Sequence, residues 1–289
     1  MTILALSLVV VAAFTHAIWN LLAKKAAPAG PPFVAAYTFL SAVIYAPVAA
    51  WAVIRFGFPM TWLAFACILV SGLVHLAYSL VLQRGYQVAD LSVVYPVARG
   101  TGPLLSAIGA FVLLGETVTF PALLGLAGVV GGILLLATGG RVGRLADPSA
   151  RKGVAWGGAT GGLIAAYTVV DGWGVKLLGI NPILLDWFSN ALRTTLLLPS
   201  MLRNWTDFRT RMEGYWLLAI AVGLLSPLGY ILVLTALQMG APLHVVAPAR
   251  EMSMMIGALL GMIFLRERLG PARVLACAMI VVGVILLAS

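Results

Sequence analysis

The chain has 289 residues; 62% are hydrophobic, only 9% are charged, and the mean hydropathy is +1.06. Soluble domains carry roughly 25% charged residues, so this composition leaves no polar surface to show water and points to lipid as the solvent. The net charge of +9 would suit nucleic acid, but the basic residues sit beside apolar runs, which favours orientation against an anionic membrane face and no nucleic-acid partner.

Ten apolar runs long enough to span a bilayer follow in order. Span one covers Ile3 to Ala23 and ends at Lys24 and Lys25; no basic residue precedes it, which predicts no cleaved signal peptide. Pro28, Pro31 and Pro32 make the next loop, and span two runs from Phe33 to Ile54. Span three (Thr61 to Leu82) ends at Arg84, and span four covers Leu91 to Leu114. The turn Gly115-Glu116-Thr117 leads to span five, Phe120 to Thr138. The most polar connection, residues 139–153, divides the chain into a first repeat (1–138) and a second (154–289). Spans six (Val154 to Val175) and seven (Pro182 to Leu202) follow, then a loop, RNWTDFRTRMEG. Spans eight (Tyr215 to Leu237), nine (Leu243 to Leu265) and ten (Ala272 to Ala288) complete the chain. Cys67 and Cys277 both lie in apolar runs and read as small hydrophobic residues rather than a disulfide.

The two halves repeat each other. LSVVYPVAR (91–99) resembles LHVVAPAR (243–250), with Arg99 and Arg250 separated by 151. LLGET at Leu113 parallels FLRER at Phe264, setting Glu116 against Glu267. YSLVL at Tyr78 parallels YILVL at Tyr230, and His16, Asn20 and Lys25 map to Tyr167, Asp171 and Lys176. Five spans per repeat is odd, so the second copy enters from the opposite side, making an inverted repeat. Of the 18 basic residues, thirteen fall on the side reached after span one, two on the side of the termini and three within spans. The positive-inside rule then puts both termini outside the cytoplasm, in the periplasm of a bacterial inner membrane.

These repeats, each opening on a polar-striped helix that ends in lysine and each carrying an LGE or RE turn before a glycine-rich last span, resemble the drug/metabolite transporter superfamily, the EamA-type exporters in particular. The resemblance covers nearly the whole chain. It implies an all-α integral membrane protein of ten transmembrane helices, two inverted five-helix repeats around a central cavity. By the same resemblance, spans one, three, four, six, eight and nine are expected to line that cavity. It also implies export of amino acids, other metabolites or toxic cations. Arg266 stands where the first repeat has Gly115, so the motif is half kept in the second copy.

The candidate substrate-binding residues are His16, Trp19 and Asn20 in span one; His75 and Tyr78, with Ser71 and Ser79, in span three; and Tyr95 and Arg99 in span four. The second repeat adds Tyr167 and Asp171 in span six, Tyr230 and Ser226 in span eight, and His244 and Glu251 in span nine. Polar side chains in spans avoid lipid because unsatisfied groups there cost several kcal/mol; helix-to-helix bonding is the alternative use. Arg99 either grips a substrate carboxylate or pairs within the protein. Pro96 and Pro248 each free one backbone carbonyl, as hinges or as packing. Glu116 and Glu267 read as charges at the start of the last span of each half. The histidine spacings fit no metal motif, and no cofactor is implied.

Gly128 and Gly132, Gly157 and Gly161, and Gly257 and Gly261 are each four apart, which suits close helix packing within one chain; a monomer is expected, a homodimer being the alternative. No protease, esterase or nucleotide-binding motif is present, so an intramembrane enzyme is the weaker reading, as is a channel. The ring-rich candidate set, with Arg99 for a carboxylate and Asp171 or Glu251 for an ammonium, describes an amphipathic zwitterion and hence amino-acid export, aromatic ones included. A planar organic cation is the alternative.

Overall fold

The computed structural model describes residues 2–57, 61–89, 91–138, 151–256 and 271–288. Among them the chain is helical throughout. The first half holds α1 (Ile3–Lys25), α2 (Pro31–Phe56), α3 (Trp62–Val88), α4 (Leu91–Leu113) and α5 (Phe120–Thr138). The second holds α6 (Arg151–Lys176), α7 (Pro182–Arg203), α8 (Trp205–Met212), α9 (Trp216–Gln238), α10 (Leu243–Arg250) and α11 (Pro271–Ala288). Residues 252–256 resume helical backbone after α10. The FLRER run, Gly257, Gly261 and residues 139–150 of the linker lie outside the described residues.

Local chemistry sets the helix starts. Pro31 and Pro182 occupy the first turns of α2 and α7, where a missing N–H is no loss. Asn181 Oδ1 accepts from the Ile183 amide at 2.9 Å, and Thr61 Oγ1 accepts from the Ala64 amide at 3.1 Å. Two boundaries differ from the sequence reading. α2 starts at Pro31, which the loop was expected to contain, and α6 starts at Arg151 inside the expected linker. The loop RNWTDFRTRMEG contains a helix, α8, which turns Phe208 and Met212 into the core and bonds Arg211 Nε to Asp207 at 2.9 Å on its outer face.

Among the described residues, six stretches are long and apolar enough to cross a membrane: Ile3–Ala23, Pro31–Phe56, Trp62–Gly85, Val93–Leu113, Arg151–Lys176 and Trp216–Gln238. α5 and α11 supply shorter apolar stretches, Phe120–Leu135 and Val274–Leu287. α7, which carries Asp186, Asn190 and Arg193, is not among them. Large apolar side chains cover the outside: Ile54 is 85% exposed, Trp62 78% and Leu217 76%. A surface of this kind is stable in lipid, not in water.

The main packing runs between the halves; the most extensive contact, α4 on α6, is answered among the described residues by a much smaller one of α1 on α10, and the rest comes in matched pairs. α1 packs on α9 as α3 packs on α6; α2 packs on α9 as α7 packs on α3; α2 meets α7, α5 meets α11 and α4 meets α10. Each pairing survives exchange of the two halves. Glycine makes the closest approaches. A Cβ at Gly125 would stand 2.6 Å from the Gly283 carbonyl oxygen, and one at Gly283 would stand 2.7 Å from the Gly125 carbonyl oxygen. Gly128 and Gly132 face α11, and Gly157 and Gly161 face α4, so these glycines serve contacts inside the chain.

Candidate functional site

α4 and α10 bring two charged groups together at the centre. Arg99 Nη1 donates to both carboxylate oxygens of Glu251 at 3.2 Å, and Nη2 donates to Asn20 Oδ1 on α1 at 3.3 Å. Their side chains are 5% and 0% exposed, so the pair is fully desolvated. The Arg99 guanidinium also lies 5.4 Å from the Tyr95 ring centre. Span one adds a local network: Trp19 Nε1 donates to His16 Nδ1 at 3.1 Å, and Asn20 Nδ2 donates to the His16 carbonyl at 2.7 Å. A neutral His16 that accepts at Nδ1 carries its hydrogen on Nε2.

A second cluster joins α3, α6 and α9. Asp171 is 0% exposed. Its Oδ2 is held by His75 Nε2 at 3.1 Å and by the Tyr230 hydroxyl. The His75 ring stacks on Tyr167 with centres 4.0 Å apart, and Tyr78 and Tyr230 meet the Tyr167 ring edge to face at 5.5 and 6.0 Å. This is a box of rings around one carboxylate.

The two clusters are neighbours. Arg250 is buried, its Nε 3.7 Å from Glu251 Oε1, and its charge reaches His16, His75, Tyr78 and Tyr230. Three buried atoms facing this region have no hydrogen-bond partner among the described residues: Arg250 Nε, His16 Nε2 and Asp171 Oδ1. Buried polar groups are rarely left so, and here two are donors and one is an acceptor.

His244 stands apart from both clusters. Its ring Nδ1 lies 2.6 Å from Glu116 Oε2, beside the Phe111 ring. Glu116 also accepts from Lys176 Nζ at 2.6 Å and from the backbone amides of Leu243 and His244 at 2.7 and 3.0 Å. The expectation that Glu116 serves the start of its own last span is therefore corrected: it caps α10. Gly115 makes this possible by taking φ +65° at the end of α4, which aims the next side chain back across the molecule. Burial pushes the Glu116 carboxyl up, but the bonds from His244, Lys176 and Leu243 outweigh it and hold the group down at about 2.

Pro96 lies within α4, its side chain outside the described residues. Pro248 lies within α10, which ends two residues later with a turn at Glu251. Of the serine candidates, Ser79 bonds back to the His75 carbonyl at 2.9 Å and Ser71 bonds Ser189 at 3.0 Å; Ser226 is half-buried on α9. Both cysteines are free thiols.

The sequence reading passed over one buried group, on α7. Asn190 Nδ2 donates to Asp186 Oδ2 at 3.0 Å, and its Oδ1 accepts from Arg193 Nη1 at 3.1 Å. Their spacing of four and three puts all three on one helix face, a signal present in the sequence.

The sequence profile of the EamA-like transporter family matches residues 3–138 and 151–289. None of the curated proteins matches the chain. A solved structure described only as "Crystal structure of protein" shares the fold at a TM-score of 0.76 and 17% identity, over 98% of this chain and 96% of its own. With matched cross-half packing, a lipid-facing exterior and a polar centre, the chain belongs to the EamA-like transporter family and is a multi-pass membrane protein.

Proposed function

We propose that the protein exports small zwitterionic metabolites with an apolar side chain, aromatic amino acids among them. One observation carries this reading: two donors and one acceptor, buried beside a box of aromatic rings, make no hydrogen bond among the described residues. Asp171 Oδ1 suits a substrate ammonium. Arg250 Nε and His16 Nε2 suit its carboxylate. Trp19, Tyr78, Tyr167 and Tyr230 offer flat faces to the side chain. Arg99 is already engaged by Glu251 and Asn20, so its role is to shape the site. That engagement also favours a second reading, a planar organic cation held by Asp171 and the rings, because Arg99 no longer repels it.

We read the architecture as ten spans in two inverted repeats working by alternating access. The paired contacts support the repeat. So does the Glu116 cluster, which gathers segments following spans four, six and eight, as segments on one face of the membrane must be. Both termini then lie outside the cytoplasm in an inner membrane. A C-terminal reporter that works only in the cytoplasm would overturn that orientation. The glycine faces are used within the chain, which favours a monomer.

Cells expressing the protein and loaded with aromatic dipeptides should release aromatic amino acids faster than empty-vector cells. Arg250→Ala and Tyr78→Ala should each reduce that release at unchanged membrane abundance. Pro248→Ala should slow it more than it lowers the melting temperature, if the α10 break is a hinge. Release at the empty-vector rate with increased resistance to a cationic dye would select the cation reading.

A further inference from the structure

Of the three acids buried inside helical spans among the described residues, two sit against cations or strong donors. Glu251 has Arg99 at 3.2 Å and Arg250 at 3.7 Å, and Asp171 has His75 and the Tyr230 hydroxyl. Asp186 differs. It is 8% exposed, yet no cation lies within 4.0 Å of it among the described residues. Its side-chain contact is the neutral amide of Asn190, and that amide stands between it and Arg193.

We infer that Asp186 is the binding site of a transported proton. A buried carboxylate without a contacting cation is expensive as an anion and is relieved by taking up a proton. The groups facing it agree. Tyr45 on α2 and Asp171 on α6 add no positive charge, and Arg193 on its own helix acts from behind the amide. On α3, His75 and Ser79 are linked to it only through Arg193, and on α9 Tyr230 is occupied by Asp171. Tyr45 spends its hydroxyl on the Leu224 carbonyl at 2.6 Å.

Position also fits. Asp186 lies four residues into α7, about 6 Å along the axis from its start, at the end of the molecule that holds Lys176 and Glu116. A proton from bulk water on that side joins the carboxylate to give the neutral acid. It leaves to water on the opposite side after the conformational change, and the carboxylate is restored. Arg193 Nη2 reaches Ser79 Oγ on α3 at 3.5 Å, one turn from His75 and next to Tyr78. The charge state of Asp186 is thereby felt on the helix that carries half of the ring box. This inference concerns the driving ion and stands apart from the choice of substrate.

Infrared spectroscopy of the purified full-length protein in lipid tests it directly. The carbonyl band of a protonated carboxylic acid should be present near neutral pH and vanish on alkaline titration. It should be absent in Asp186→Asn and shifted in Asp186→Glu, which carries the test should the Asn variant fail to melt cooperatively. No such band, or a band unchanged in the folded variants, overturns the inference. In proteoliposomes assayed with L-tryptophan, an imposed pH gradient should drive accumulation by the native protein and not by Asp186→Asn, with gradient-free exchange retained by both. Gradient-driven accumulation surviving in Asp186→Asn also overturns it. Tryptophan exchange absent from the native protein counts against the proposed substrate class, and the infrared result still decides the proton site.

Discussion

Replacing Glu251 by Gln should destabilise the fold by roughly 3–5 kcal/mol, the range for stripping one partner from a buried ion pair. Both Arg99 and Arg250 depend on this carboxylate, and neither side chain is more than 5% exposed. Removing it leaves two buried cations, whereas Arg99→Met leaves Glu251 with Arg250 still beside it. The Glu251 variant should therefore melt lower than the Arg99 variant in detergent. The double variant Arg99→Met with Glu251→Met should recover only part of the loss, since it removes the stranded Arg99 but leaves Arg250 buried without its carboxylate. A double variant as unstable as the sum of the singles would show that the two residues do not act as a pair.

The second large effect belongs to Glu116. One carboxylate holds Lys176, the His244 ring and two backbone amides. Glu116→Ala leaves all of them without it, so the loss should exceed the ~1 kcal/mol of a single neutral hydrogen bond by a wide margin. It should also exceed that of Lys176→Met, which removes one contact of the four. The pH dependence has a definite sign. The folded value, about 2, lies below the ordinary 4.5, so the anion stabilises the fold fully above 4.5 and its contribution fades as pH falls toward 2. Melting curves of the native protein and Glu116→Gln should stay apart across neutral and mildly acidic pH. They should converge only below 4.5; convergence already at pH 6 would mean the carboxylate is not held as described.

Much of this was legible in the sequence, because a lipid-facing helix announces itself by its apolar length and a repeat by its spacing. Arg99, Asp171 and Glu251 stood out as charges inside apolar runs. Their partners did not. Arg99 and Glu251 are 152 residues apart, and only the relative rotation of α4 and α10 brings them into contact. Glu116 was read as a local helix-start charge for the same reason: its bonds to residues 243 and 244 are tertiary. Two features were readable and passed over. Trp205, Phe208 and Met212 fall on one face of α8, hidden by a polar composition that resembled a loop. Asp186, Asn190 and Arg193 share a face of α7, where overall apolar content obscured the pattern.

The cross-half packing has a consequence for how the protein is made. α1 rests on α9, α3 on α6, α2 on α7 and α5 on α11, while α2 and α3 touch each other little. Residues 1–138 therefore enter the bilayer first with their contact faces against lipid or against the insertion machinery, since every main partner is still to be translated. Gly125 waits for Gly283 on α11, the last of the described helices. Folding is consequently gated by translation of the second half: a ribosome that stalls within it leaves a first half with its polar centre, Arg99 included, unpaired in the membrane and open to quality-control proteolysis.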